Sequence, residues 1–278
     1  MPENFDRSRE ILHQRNEQSR SFTIEVRGQK FDFLEIQSAE PSDTLLAHLP
    51  GFGEDVELYA EPMHILMGKS YCTLALKGYG ETYSRESLAE ALGQAIALSG
   101  KPNTILHGDS FGASVVYDLI SDPAGREFLT RNNVRGAVLE APFLDKEHLR
   151  SGARAIPDTI LLRGSLMFDR IRGLKSLAPK QEGLVKLSPS EKKSILSEAL
   201  REKTTEKSIN VPVHIVLVQN ESLSDNRKIM ETIRRQTKNV SSSTVMSAGD
   251  NGHHIADNEY EPMWKKEKEA IDSFIKPL

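Results

Sequence analysis

The residues in this 278-residue sequence best suited to do chemistry form the run Gly108-Asp109-Ser110-Phe111-Gly112. By composition alone a G-x-S-x-G run turns up roughly once in ten chains of this length, so its setting carries the weight. An apolar strand segment, Thr104 to Leu106, leads into it, and a helical pattern over 111–120 leads out. A sharp strand-to-helix turn would project the Ser110 side chain off a sheet, with the flanking glycines relieving the crowding. It would also set Ser110 at a helix N-terminus, where the dipole and outward N–H groups favour developing negative charge. That is a setting for a nucleophile.

A serine hydroxyl attacks only with a base beside it, and the base needs an orienting acid. Of the eight histidines, His253 and His254 lie in a loop between the last strand and the last helix, and either can be the base. His214 falls in an apolar strand, where a packed core role is expected, and His148 lies in an insertion. His107 abuts the Ser110 run and either lines the site or supports it. The acid should follow the strand over 211–218, where Gln219-Asn220-Glu221-Ser222-Leu223-Ser224-Asp225 offers Glu221 at the strand end and Asp225 four residues on. Asp145, after an earlier strand, is a third candidate. Asp109 would either shape the substrate pocket or cap the third helix.

Residues this far apart in sequence need a scaffold to bring them together. Residues 22–37 alternate apolar and polar around Arg27-Gly28, a hairpin pattern. Continuous apolar runs at Thr44–Leu49, Tyr71–Leu76, Thr104–Leu106, Val134–Leu139 and Val211–Val218 suit strands buried on both faces, and a short strand is expected near Val245-Met246. Between them come helical patterns over 56–67, from a capping box of Ser87 and Glu90, over 111–120, over 222–236 and from Pro262. Strands alternating with helices predict an α/β fold, a mostly parallel central sheet with helices on both faces. From 144 to 205 strand signals stop, and two helical blocks open at Pro157 and at Ser188-Pro189-Ser190-Glu191. The expected organisation is a polar N-terminal extension (1–21), a core (22–143 and 206–278) and a helical cap or lid insertion (144–205).

Together these features resemble the α/β-hydrolase superfamily. The order nucleophile, acid, histidine along the chain is that family's order. Pro50-Gly51-Phe52-Gly53 resembles its His-Gly-x-Gly turn, with Pro50 in place of the histidine. Ala75-Leu76-Lys77-Gly78-Tyr79-Gly80-Glu81-Thr82 resembles its Asp-x-Arg-Gly-x-Gly-x-Ser segment, with Ala75 in place of the aspartate. Gly252-His253 resembles the pair that carries the base, and the spacing from His254 to Glu259 resembles a family pattern too. The acid segment lacks the family's Gly-x-x-Asp, and Glu221 aligns by distance from the strand.

The resemblance implies a serine hydrolase acting on a small-molecule acyl substrate, a carboxylic ester or thioester, through a Ser-His-acid triad. Backbone N–H groups of Phe52 and Phe111 would form the oxyanion hole, Gly51, Asp109 and His107 would border the pocket, and no metal or cofactor would be needed. The same triad serves acyl transfer and carbon–carbon bond hydrolysis, and a binding protein can keep the fold without its activity.

Composition narrows the classes further. Lys plus Arg total 36 and Asp plus Glu 40, a net charge of −4, which argues against nucleic-acid binding through bulk charge. A single cysteine, Cys72, excludes an internal disulfide framework and a cysteine-based zinc site. No stretch approaches the roughly 18 apolar residues of a membrane span, and Met1–Ser21 carries no apolar run of the signal-peptide kind, so a cytoplasmic location is expected. Between Lys146 and Lys207 stand 14 Lys/Arg against 8 Asp/Glu, so the insertion is basic within an acidic frame and could touch an anionic membrane surface or substrate. No self-association surface is legible.

Overall fold

The computed structural model describes residues 19–51, 56, 70–79, 84–142, 144, 146–148, 207–219, 225–246 and 261–278. The helix expected over 56–67, nearly all of the 144–205 insertion and the loop carrying His253 and His254 lie outside the described residues, as does the N-terminal extension up to residue 18.

Eight strands form one sheet: β1 (Ser19–Val26), β2 (Gln29–Ile36), β3 (Thr44–Leu49), β4 (Cys72–Leu76), β5 (Asn103–Asp109), β6 (Val134–Glu140), β7 (Val213–Gln219) and β8 (Val240–Met246). Their spatial order is β1-β2-β4-β3-β5-β6-β7-β8. The first two strands pair antiparallel, β2 meets β4 antiparallel, and every later pairing is parallel. The described helices are α1 (Arg85–Ser99), α2 (Phe111–Ser121), α3 (Gly125–Arg131), α4 (Asn226–Gln236) and α5 (Glu261–Ile275).

Strand periodicity sorts the apolar residues into two cores. Leu45, Ala47 and Leu49 of β3 face one side with Leu106, Leu139 and Ile215, under Leu88 and Leu92 of α1, Val115 of α2 and Ile229 and Ile233 of α4. Leu46, Ile105, Val138 and Val216 face the other side, where Ile271 and Ile275 of α5 cover them. Because both faces are buried, the strands read as unbroken apolar runs instead of alternating ones.

The hairpin turns where expected: Arg27 and Gly28 both have positive φ, 52° and 74°, the pair of left-handed residues that a two-residue turn between twisted strands requires. The hairpin begins earlier than expected, however, since Ser19–Ser21 belong to β1 and not to an extension. Three further expectations are corrected. The first described helix is capped by Ser84, whose hydroxyl accepts the Ser87 N–H at 3.2 Å, so Ser87 lies buried within the first turn instead of starting it. The helix expected from 222 begins at Asn226, where Asp225 caps it. The last strand is seven residues long, Val240–Met246, although its first half is polar.

Candidate active site

β5 ends at Asp109 and α2 begins at Phe111, leaving Ser110 alone to make the turn. Its backbone sits at φ 50°, ψ −108°, a conformation that costs a non-glycine residue on the order of 1–3 kcal/mol. Neighbouring contacts hold it there. The Ser110 N–H donates to the Glu140 carbonyl at 2.9 Å, and the Ser110 carbonyl accepts the Ser114 N–H at 3.2 Å.

The flanking glycines are steric requirements. A Cβ on Gly108 would lie 2.5 Å from the Ala113 nitrogen, and one on Gly112 would lie 2.0 Å from the Leu49 oxygen and 2.7 Å from the Pro50 oxygen. The absent side chain at Gly112 therefore lets the start of α2 press against the end of β3, which brings the Pro50-Gly51 turn alongside the Ser110 turn. Phe111 is the first residue of α2, where first-turn N–H groups point out of the helix end. Ser110, Asp109, Phe111 and Gly51 are all buried.

Beneath this turn lies a polar line that the sequence did not suggest. His48 of β3 and His107 of β5 are register partners, with Nδ1 atoms 2.7 Å apart and rings stacked at 4.9 Å. On the far side of His107, its Nε2 stands 3.5 Å from a carboxylate oxygen of Glu140, the last residue of β6. All three side chains are buried on the α5 side of the sheet. His107 is thus held in a buried contact with His48 and Glu140. Among the described residues no group of three or more His, Cys, Asp or Glu side chains is arranged to hold a metal ion. The signal that could have found the line is alternation: His48, His107 and Glu140 each follow an α5-side apolar residue by two positions, namely Leu46, Ile105 and Val138.

The Asp225 carboxylate is occupied at the head of α4, where one oxygen accepts the N–H groups of Arg227 at 3.1 Å and Lys228 at 3.3 Å. Its own N–H donates to the His148 carbonyl at 2.7 Å, and the His148 ring lies 2.8 Å from the Thr232 hydroxyl, which ties the Lys146–His148 turn to α4. His214 is the packed core histidine expected: its two ring nitrogens contact the hydroxyls of Ser241 and Ser243 at 2.8 and 3.0 Å, and its ring lies against Phe274. Burial holds its imidazole below the ordinary value. Cys72 is buried and free. Glu221, His253, His254, Phe52 and Asp145 lie outside the described residues.

No family model matches the sequence, and no curated protein sequence does either. Solved structures do resemble it. Carboxylesterase CesB from Bacillus subtilis superposes with a TM-score of 0.60 at 16% identity, over 99% of each chain. A soluble variant of monoglyceride lipase from Saccharomyces cerevisiae gives 0.64 at 13% identity, over 92% of this chain and 94% of the other. Haloalkane dehalogenase DatA from Agrobacterium tumefaciens gives 0.61 at 15% identity, over 93% and 97%. The chain has the α/β-hydrolase fold.

Proposed function

We propose that this protein is a serine hydrolase that cleaves a carboxylic ester or thioester through an acyl-enzyme on Ser110. One observation carries the assignment: Ser110 is held at positive φ between a strand end and a helix start, in a turn that both flanking glycines are sterically obliged to permit. Strain of this kind persists where the surrounding structure enforces it, and such sites cluster at functional centres. The esterase and lipase named among the similar structures point the same way.

The Ser110 oxygen would attack the acyl carbonyl while His253 or His254 takes the hydroxyl proton. Glu221 is assigned as the acid that orients that histidine, because the Asp225 carboxylate already caps α4. The tetrahedral oxyanion would be held by the N–H groups of Phe111, at the start of α2, and of Phe52. The histidine then returns its proton to the leaving alcohol or thiol as the bond to carbon breaks. Water, activated by the same histidine, attacks the acyl-enzyme and releases the carboxylic acid.

The assignment is tested with p-nitrophenyl esters of graded acyl length, on the native chain and on Ser110→Ala. Turnover by the native chain and its loss by at least about 10³-fold in the variant are expected. Equal turnover by the two proteins would overturn it. The chain-length optimum reports the depth of the acyl pocket.

A further inference from the structure

Tyr79 is a buried residue outside the triad that touches both backbone segments from which an oxyanion hole would be built. Its hydroxyl donates to the Pro50 carbonyl at 2.5 Å. Its ring meets the Phe111 ring edge-on, with centroids 4.9 Å apart and planes at 78°. It enters from the segment after β4, so one side chain spans three strand ends.

The Pro50 carbonyl is the point that needs holding. Proline fixes its own φ but leaves ψ, the angle that aims its carbonyl, to the surroundings. Gly51 follows, with no side chain to restrict the next peptide. The Pro50–Gly51 peptide is trans, so the direction of the Pro50 carbonyl also sets the opposite direction of the Gly51 N–H. The same carbonyl oxygen stands 2.7 Å from where a Cβ of Gly112 would be. The carbonyl is therefore wedged between the head of α2 and the Tyr79 hydroxyl, while the Tyr79 ring holds Phe111.

We infer that Tyr79 is a positioning residue that fixes the Pro50–Gly51 peptide, which leads into one half of the proposed oxyanion hole, relative to the Phe111 amide, the other half. The inference rests on the serine-hydrolase reading of Ser110. Its contribution is made in the transition state, because only there does charge develop where the aligned donors point.

The test compares Tyr79→Phe, which removes one oxygen and keeps the ring, with Tyr79→Leu, which removes both contacts. In Tyr79→Phe, kcat for ester hydrolysis should fall about ten-fold with KM changed less than about two-fold, since a misalignment of well under 1 Å is at stake. Affinity for a trifluoromethyl ketone, which forms a tetrahedral adduct with the serine, should fall by the same factor as kcat/KM. Tyr79→Leu should lose more on both measures. Amide hydrogen exchange at Gly51, measured on the resting protein, should speed up in Tyr79→Phe whether or not any ester is turned over. Native kcat together with unchanged Gly51 exchange in Tyr79→Phe would overturn the brace. Absence of turnover by the native chain, with faster exchange in the variant, would overturn the hydrolase reading and leave the brace standing.

Discussion

The Nδ1 atoms of His48 and His107 lie 2.7 Å apart, buried on the α5 side of the sheet near the end of β5 that leads into Ser110. At that separation only one of the two nitrogens carries a hydrogen, because two N–H groups cannot face each other. Glu140, 3.5 Å from the other nitrogen of His107, favours a hydrogen at Nε2 of that ring and so makes His48 the donor. Nitrogen-15 NMR of the labelled histidines should find His107 as the Nε2–H tautomer and His48 as the Nδ1–H tautomer. A double-mutant cycle with His48→Leu and His107→Leu should give a coupling energy of about 1–3 kcal/mol, the cost of stranding one buried ring. Additive single effects would mean the pair is a mere contact.

Gly112→Ala places a methyl group where the Leu49 and Pro50 oxygens already stand. Backbone cannot swing aside as a long side chain can, so α2 must shift away from β3. A loss of about 3 kcal/mol or more in chemical denaturation is expected, together with near-complete loss of activity. Native-like stability in this variant would show that the approach of α2 to β3 is looser than described.

Glu221 and Asp225, the two candidate acids that follow β7, predict opposite phenotypes. Asp225→Ala should cost about 1 kcal/mol of stability, the worth of an N-cap, with kcat almost unchanged. Glu221→Gln should leave stability alone and lower kcat by roughly 10²–10⁴-fold, as expected when the orienting acid of a triad is neutralised. Steady-state kinetics and thermal melts on both variants decide the matter; the reverse pattern would move the acid to Asp225.

His214 links stability to pH. Its imidazole is held below the ordinary value of 6.5 by burial, so the folded chain keeps it neutral where the unfolded chain takes up a proton. Above that value both states are neutral and His214 contributes no pH dependence. As pH falls below it the unfolded state binds more protons and stability declines, until the folded ring titrates as well. Between about pH 7 and pH 5 the native chain should lose more stability than His214→Gln. Parallel slopes for the two proteins would contradict this.

Much of the scaffold is legible in the sequence because burial on both faces leaves a loud signal. The run Thr44–Leu49 coincides with β3, and Val134–Leu139 falls one residue short of the end of β6. The Ser110 turn is legible because glycine is the one residue that the closeness of α2 to β3 permits at 112. The less legible parts depend on long-range partners. Residues 241–244 read as polar, yet they belong to a strand whose Ser241 and Ser243 receive the His214 ring. α3 has seven residues, too few for a helical periodicity to stand out, and packs its Leu129 against the core. Ser84 and Ser87 are equivalent as capping residues in sequence, and only the start of α1 distinguishes them. The pairing of His48, His107 and Glu140 needs the registers of three strands, which no local pattern specifies.

The central claim is that Ser110 is an activated nucleophile, and covalent capture tests it most directly. The folded native chain is exposed to a fluorophosphonate, digested, and the peptide containing Ser110 examined by mass spectrometry. One phosphonyl group on Ser110 is expected, absent from Ser110→Ala and from the acid-unfolded chain. A folded native chain that leaves Ser110 unmodified would contradict the account.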